Sequence, residues 1–131
     1  MTAISNARKM TSPTQRTLAW LREIGAQCQV VEKWNPHARI RQDLFGCIDI
    51  VAVTSMIVGV QACAASSHSA RVKKSIAEPK LLRWLQAGAG FYVVSWGKKG
   101  KRGEVKKWTK RVTTFFPMRD GTIETAEADF G

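Results

Sequence analysis

Two polar side chains interrupt apolar stretches that the sequence predicts as neighbouring strands. Asp49 lies within residues 47–53 and Gln61 lies within residues 57–63. An ionisable group inside a buried strand costs free energy unless it is paired with a charge or bound to a metal ion. The residue types therefore indicate a polar site in the sheet that could bind a cation.

The connection between these two strands decides whether their polar side chains meet. If residues 54–56 form a three-residue connection, Asp49 lies directly across from Gln61 on one face of the sheet. A two-residue connection would shift the register and separate the two side chains. We expect the longer connection, which places both polar groups within reach of one ion, although Gln61 could equally be a hydrogen-bonded polar residue of the sheet.

Two further acids precede Asp49. Glu32 lies in a predicted strand over residues 27–33, and Asp43 lies in a predicted loop over residues 34–46. Glu32 is a candidate third oxygen ligand at the sheet end. Both acids could instead be ordinary exposed residues at the ends of strands.

The same loop contains residues that suggest other roles. Arg39 or Arg41 could pair with Asp49 and hold it without a metal ion. His37, like His68 farther along, could contact phosphate or carry protons, but lone histidines in polar loops more often do neither.

Signals elsewhere predict helices that cover a sheet. Ser12 is a good N-cap and Pro13 suits the first helical position, so that a helix is expected over residues 13–24. The remaining predicted elements are helices beginning near Ser69 and at Pro79, and strands over residues 91–96 and 104–116. The fold class is therefore α/β or mixed α+β, with a central mixed sheet of about five strands flanked by helices.

The two ends of the chain differ from its middle in composition. Residues 1–12 are polar and basic and predict a flexible arm. Residues 118–131 are polar and acidic and predict a loose tail. One folded domain is therefore expected over residues 13–117.

The residues described so far resemble the PD-(D/E)XK nuclease superfamily, and within it the small archaeal Holliday junction resolvases and the resolvase-like proteins of phages and prophages. The resemblance covers about residues 13–96. It depends on the order of elements, on Glu32, and on the segments GCIDIVA around Asp49 and VGVQAC around Gln61. It implies a restriction-endonuclease-like nuclease domain that cleaves branched or structured DNA as a homodimer, because a junction presents two symmetric phosphates.

The resemblance also implies roles for single residues. Asp49 corresponds to the principal ligand of Mg²⁺ or Mn²⁺, Gln61 occupies the place of the second acid, and Glu32 is the upstream ligand. Such an ion prefers hard oxygen ligands, neutralises charge on the phosphate and lowers the pKa of a bound water. Gln15 stands where some resolvases have a helix glutamate near the metal.

Three positions depart from the motif of this family. Ile48 replaces a proline that does no chemistry. Gln61 removes one negative charge from the metal site, and Cys63 stands where a lysine would stabilise the transition state. The candidates for a replacement cation on the next helix are Arg71, Lys73 and Lys74.

Charge is the strongest global signal in the sequence. The chain carries 21 Lys and Arg against 10 Asp and Glu, a net charge of +11. Residues 118–131 hold one arginine and four acids, a net charge of −3, so that the other 117 residues carry +14. Such a field attracts polyanions, and nucleic acid is the usual partner. An anionic membrane surface is disfavoured, since no basic amphipathic helix with a broad apolar face stands out.

One segment concentrates the positive charge. Residues 98–111 contain eight Lys or Arg and one Glu around Trp108, whereas a merely solvated hairpin would carry mixed charges. Its cations could follow a phosphate backbone while the indole packs on a sugar or a base. The predicted nucleic-acid-binding residues are Arg39, Arg41, Lys98, Lys99, Lys101, Arg102, Lys106, Lys107 and Trp108.

The cysteines and the apolar runs bear on the compartment. Cys28, Cys47 and Cys63 are odd in number and widely spaced, which disfavours a disulfide framework or a zinc knuckle. No apolar run approaches the roughly 20 residues of a membrane span, and residues 1–15 lack the apolar centre of a secretory signal. We expect a cytoplasmic protein with no membrane partner.

Three functions are compatible with these observations. The first is a Mg²⁺- or Mn²⁺-dependent endodeoxyribonuclease acting on branched DNA as a homodimer, with Trp84 or Phe115 in an apolar interface. The second is a nuclease fold retained as a nucleic-acid-binding module, with its chemistry lost through Gln61 and Cys63. The third is an RNA-binding or ribosome-associated basic protein. Metal binding separates the first two, since a dead module should show no Mn²⁺-linked stabilisation.

Overall fold

The computed structural model describes residues 12–130. These residues form a β-sheet with helices packed on both of its faces. The helices are α1 (Pro13–Glu23), α2 (His68–Ile76) and α3 (Pro79–Gln86), with a 3₁₀ turn (Ala65–Ser67) before α2. The strands are β1 (Gln27–Val30), β2 (Lys33–Asn35), β3 (Ile40–Gln42), β4 (Ile50–Val53), β5 (Ile57–Ala64), β6 (Gly90–Lys99), β7 (Lys107–Pro117) and β8 (Ile123–Ala128). The three predicted helices are confirmed.

Six of the strands form one mixed sheet in the order β1-β4-β5-β6-β7-β8, and β2 pairs with β3 in a separate hairpin. β5 and β6 are parallel and are joined by the crossover through α2 and α3, while the other neighbours are antiparallel. The predicted mixed α+β class is therefore confirmed, with one more sheet strand than expected.

The helices divide the core into two layers. On one face α1 packs Trp20 and Leu21 into a cluster that includes Val60. On the other face α3 packs Leu81 and Leu85 into a second cluster. Because successive side chains of a strand point to opposite faces, Gln61 lies on the α2–α3 side while Val60 lies on the α1 side.

The ends of α1 follow from its sequence. Ser12 Oγ accepts a hydrogen bond from the Gln15 N–H at 3.1 Å, and Pro13 occupies the first turn, where a missing N–H costs nothing. Gly25, with φ 89°, adopts the left-handed conformation that ends the helix. The Trp96 indole N–H donates to Thr17 Oγ1 at 2.9 Å and joins α1 to the sheet.

Residues 34–46 are not the simple loop that the sequence suggested. They contain part of the β2–β3 hairpin, whose turn is closed by Asn35 Oδ1 accepting from the N–H groups of His37 and Ala38 at 3.0 and 3.1 Å. The predicted strand over residues 27–33 therefore ends at Val30, and the strand predicted from residue 47 begins at Ile50. The dipeptide Asn35-Pro36 was the available turn signal.

The prediction of a loose tail over residues 118–131 is wrong. β8 pairs with β7 along its whole length and forms one edge of the sheet. Ile123 packs against the cluster on the α3 side and Ala128 against the cluster on the α1 side. The acidic residues of this segment made the alternation of its side chains between the two faces of the sheet hard to recognise from the sequence. Nearly all of the predicted basic arm, residues 1–11, lies outside the described part of the chain.

The two aromatic residues suggested for a dimer interface belong to the core. Phe115 is 3% exposed and packs edge-to-face on Phe91, with ring centroids 4.9 Å apart. Trp84 is half-buried, and its indole N–H donates to the Gly90 carbonyl at 2.7 Å. The assignment of Phe115 to an interface is therefore wrong, whereas Trp84 keeps an exposed part and its assignment stays a prediction.

Candidate metal centre

Three carboxylates meet where the β2–β3 hairpin joins the sheet. One oxygen each of Glu32, Asp43 and Asp49 lies within 4.8 Å of the others. Glu32 directly precedes β2, Asp43 directly follows β3, and Asp49 directly precedes β4. The N–H groups of Val31 and Glu32 donate to the Asp49 carbonyl at 2.8 and 3.3 Å, so the base of the hairpin is fixed to the sheet.

The register of β4 and β5 places Gln61 beside Asp49, as the three-residue connection predicted. Ile50 pairs with Val60, and the Asp49 N–H donates to the Val60 carbonyl at 2.9 Å. Gln61 Nε2 donates to Asp49 Oδ2 at 2.5 Å and lies 3.5 Å from Asp43 Oδ2. The side chains of Asp49 and Gln61 are almost fully buried, with 5% and 2% exposed.

Asp49 is an unusual acid because of this environment. Burial raises the pKa of Asp49 to about 8, and the hydrogen bond and negative charge of Asp43 act in the same direction. The Ala62 N–H, which donates to Asp49 Oδ2 at 3.0 Å, and the Gln61 amide oppose this rise in pKa. Full ionisation of the cluster is therefore costly unless a positive charge joins it.

The hydrogen bonding of the Gln61 amide indicates whether the site could bind a metal ion. Its Oε1 atom is buried and, within residues 12–130, has no hydrogen-bond partner. A half-turn of the amide would direct this oxygen at the carboxylates that Nε2 now contacts, which is repulsive unless a cation lies among them. Three carboxylates and an amide oxygen form the hard donor set that Mg²⁺ and Mn²⁺ prefer. The residues present therefore fit a hard divalent cation.

Arg71 and Lys73 are two residues apart on α2, so their side chains point to different sides of the helix. Burial raises the pKa of the Cys63 thiol to about 11, and the positive charge of Arg71 opposes this rise. Arg71 therefore lies near Cys63. Lys73 instead lines a separate cavity of about 330 Å³ with Arg111 and Glu127.

Lys74 lies on the Asp43 side of the cluster. Burial raises the pKa of the Cys47 thiol to about 12, nearby acids add to the rise, and Lys74 opposes it. Lys74 and Asp43 both line an open cavity of about 470 Å³ that also includes Arg41 and Lys80. Of the three candidate cations, Arg71 and Lys74 thus lie on the carboxylate side.

The arginines of the hairpin do not neutralise Asp49. Arg41 Nη1 lies 3.6 Å from Glu32 Oε1, in an ion pair at the edge of the cluster. Neither Arg39 nor Arg41 forms an ion pair with Asp49 in the part of the chain that the structure describes. The alternative in which an arginine holds Asp49 is therefore wrong.

His68 lies in a buried chain of hydrogen bonds rather than in a polar loop. Its Nδ1 is 2.6 Å from Ser95 Oγ and its Nε2 is 2.7 Å from Thr113 Oγ1, while Thr113 donates to Glu127 Oε2 at 2.7 Å. Because the single hydroxyl proton of Thr113 goes to Glu127, His68 donates from Nε2 and accepts at Nδ1. Burial and then the charge of Arg111 lower the pKa of His68.

Two other candidates lie away from the carboxylates. Gln15 belongs to the first turn of α1, which covers the opposite face of the sheet. His37 is exposed in the turn of the β2–β3 hairpin, at the end remote from Glu32 and Asp43.

The basic segment forms the outer ends of β6 and β7 and their connection. Lys98 pairs with Trp108, and Lys99 pairs with Lys107. The Arg16 guanidinium lies 3.5 Å from the ring centroid of Trp108, which is nevertheless 46% exposed. All the predicted nucleic-acid-binding residues are exposed: Arg39, Arg41, Lys98, Lys99, Lys101, Arg102, Lys106, Lys107 and Trp108.

Asp43 is the cluster residue that the sequence did not assign as a ligand. It was assigned to a loop, and nothing in its spacing from Glu32 indicates that the two residues meet. The β2–β3 hairpin closes that distance, since Lys33 pairs with Gln42. Recognising the turn at Asn35-Pro36 would have placed Asp43 opposite Glu32.

Comparison with protein-family models, curated proteins and solved structures finds no match for the chain. No helix within residues 12–130 is long and apolar enough to cross a membrane.

Proposed function

We propose that this protein is a metal-dependent DNA endonuclease of the Holliday junction resolvase-like type, acting on branched or structured DNA. The observation that supports this most directly is the convergence of Glu32, Asp43 and Asp49 beside the Gln61 amide. A cluster of acids on a chain of net charge +11 favours a cation that is shared with an anionic substrate.

Each residue of the cluster has a distinct role in this proposal. A bound Mg²⁺ or Mn²⁺ supplies charge neutralisation at the phosphate and a more acidic water. Glu32, Asp43 and Asp49 would hold the ion, and the Gln61 amide, which now donates to Asp49, would turn its oxygen, unpartnered within residues 12–130, toward the ion as a fourth ligand. Arg71 supplies the positive charge that the neutral Cys63 thiol does not, and stabilises negative charge as it develops on the phosphate.

The outer ends of β6 and β7 and their connection, residues 98–111, form what we call the β6–β7 ribbon. In this proposal the ribbon extends the DNA-binding surface beyond the carboxylate cluster. Lys98 and Lys99 are exposed on successive positions of β6, so their side chains project from opposite faces. The ribbon therefore presents cations on both sides and one exposed indole, Trp108, for contact with a sugar or a base.

A nucleic-acid-binding module without catalysis is the second candidate. It is favoured by Gln61 and Cys63, since the first lacks a charge and the pKa of the second is raised to about 11, which keeps the thiol neutral. Both candidates predict salt-sensitive DNA binding, so affinity alone does not distinguish them.

A cleavage assay tests the proposal. Linear, forked and four-way DNA are incubated with the protein in Mg²⁺, Mn²⁺ or EDTA, beside Asp49→Asn and the exposed-acid control Asp120→Asn. We expect nicks in branched DNA with either cation for the wild type and the control, and none for Asp49→Asn or in EDTA. Full activity of Asp49→Asn would overturn the assignment, and binding without any cleavage would support the second candidate.

A further inference from the structure

The β2–β3 hairpin is attached to the carboxylate cluster at both ends. Glu32 comes immediately before it and Asp43 immediately after it. Its two strands pair with each other, and among the described residues, 12–130, neither makes an extensive contact with any other helix or strand. The hairpin therefore projects from the sheet directly beside the candidate metal centre.

The surface of this hairpin is unusual for an element with so few contacts to the rest of residues 12–130. Every residue from Lys33 to Gln42 except Asn35 is exposed, and the exposed fractions of Trp34 and Ile40 are 56% and 52%. Its charged residues are Lys33, Arg39 and Arg41, with no acid among them. Exposed apolar side chains among like charges indicate a surface for an anionic partner that also has flat apolar faces.

The position of Trp34 relates this surface to the cluster. Trp34 pairs with Arg41 across the hairpin, so their side chains lie on the same side, and Arg41 reaches Glu32. Trp34 is two residues beyond Glu32, a rise of about 7 Å along an extended chain. That is about two base steps of a DNA strand, for which the rise is about 3.4 Å each.

We propose that the hairpin binds DNA immediately beside the scissile phosphate. Trp34 stacks on an unpaired base that lies within about two nucleotides of this phosphate. Lys33 and Arg39 contact the neighbouring phosphates. This inference rests on the proposed function and specifies its substrate, because a base inside a continuous duplex is already stacked on both faces. The favoured substrate therefore has an unpaired nucleotide at the point of cleavage.

The test measures the preference of the protein for DNA with an unpaired nucleotide over a continuous duplex, and does not depend on DNA cleavage. Fluorescence anisotropy gives the affinity of the protein for a labelled duplex and for the same duplex with one unpaired nucleotide, in Ca²⁺, with gels confirming that the DNA stays intact. The variants are Trp34→Ala and Trp34→Phe, with Phe116→Ala as the control, an exposed aromatic residue of β7 outside the hairpin and outside the proposed DNA-binding residues.

We expect Trp34→Ala to lower the ratio of the two affinities by about tenfold, because stacking on an aromatic ring is lost. Trp34→Phe should retain most of the ratio, and Phe116→Ala should leave it unchanged. An unchanged ratio in Trp34→Ala, or an equal fall in Phe116→Ala, would overturn the inference.

The result of this binding experiment is independent of the result of the cleavage assay that tests the proposed function. If Asp49→Asn abolishes cleavage while Trp34→Ala keeps the wild-type ratio, the nuclease proposal stands and the hairpin inference fails. If no cleavage is found but Trp34→Ala still lowers the ratio, the hairpin binds unpaired bases in a protein that is not a nuclease. Melting temperatures of the Trp34 variants close to that of the wild type show that the exposed substitutions leave the fold intact.

Discussion

At the scale of single residues, the site depends on how three acids and one amide share a small volume. Asp49 and Gln61 could be placed together from sequence because the length of one turn fixes their register. Asp43 could not, since its approach to Glu32 depends on a hairpin whose short exposed strands carry little periodicity. The cation nearest Cys63 likewise could not be identified without the structure, which places Arg71 and Lys73 in different surroundings.

Arg71 and Lys73 provide a matched pair of substitutions. Arg71→Gln should lower the rate of DNA cleavage by about 10²-fold, because the charge near Cys63 that stabilises the reacting phosphate is lost. Lys73→Gln removes the same charge from a cavity on the other side of α2 and should change the rate little. Single-turnover rates at saturating enzyme measure both effects, and equal losses would refute the assignment of Arg71.

His68 predicts how stability changes with pH. Its pKa is lowered in the folded protein, whereas in the unfolded chain it is near 6.5. Below about pH 6.5 the unfolded state therefore binds more protons, and the free energy of unfolding should fall by up to about 1.4 kcal/mol per pH unit. Urea unfolding between pH 7.5 and 5 should show a smaller fall for His68→Gln than for the wild type, and the same fall in both would contradict this prediction.

At the scale of elements, the sequence predicted those with strong local signals. α1 has its Ser12 cap and proline, and β5 is a long apolar run, so both were located closely. β2, β3 and β8 were missed because their side chains are largely exposed and the pattern of one buried face is weak. The missed hairpin is the element that assembles the carboxylate cluster.

β8 should contribute to stability, which a loose tail would not. Ending the chain after Pro117 uncovers the edge of β7 and removes Glu127, the acceptor for both Thr113 and Arg111. We expect the free energy of unfolding to fall by at least about 2 kcal/mol, the usual cost of losing hydrogen bonds to a charged group. Urea unfolding measures this, and a midpoint equal to that of the full chain would show that β8 is dispensable.

At the scale of the whole molecule, seven of the ten acids lie in two groups. Glu32, Asp43 and Asp49 form the carboxylate cluster, and four more acids lie in and around β8, where Glu127 pairs with Arg111. The remaining surface is dominated by cations, including the exposed ribbon of β6 and β7. Composition alone predicted this field, since net charge depends on sequence and not on fold.

The ribbon should account for a definite part of the salt dependence of DNA binding. Replacing Lys106 and Lys107 together by alanine should lower the slope of log K against log salt by about two, because two phosphate contacts are lost. Arg119→Ala, an exposed cation beside acids, is the control and should leave the slope unchanged. An unchanged slope in the double variant would remove the ribbon from the footprint.

If Glu32, Asp43 and Asp49 hold a divalent cation, Mn²⁺ should raise the melting temperature of the protein. At about 100 times the dissociation constant, bound Mn²⁺ should stabilise the wild type by about 2.7 kcal/mol, a rise of about 10 °C for a chain of this size. Asp49→Asn should show almost no rise, while Asp120→Asn should match the wild type. An equal rise in Asp49→Asn, or no rise in the wild type, would show that the three carboxylates do not bind the ion.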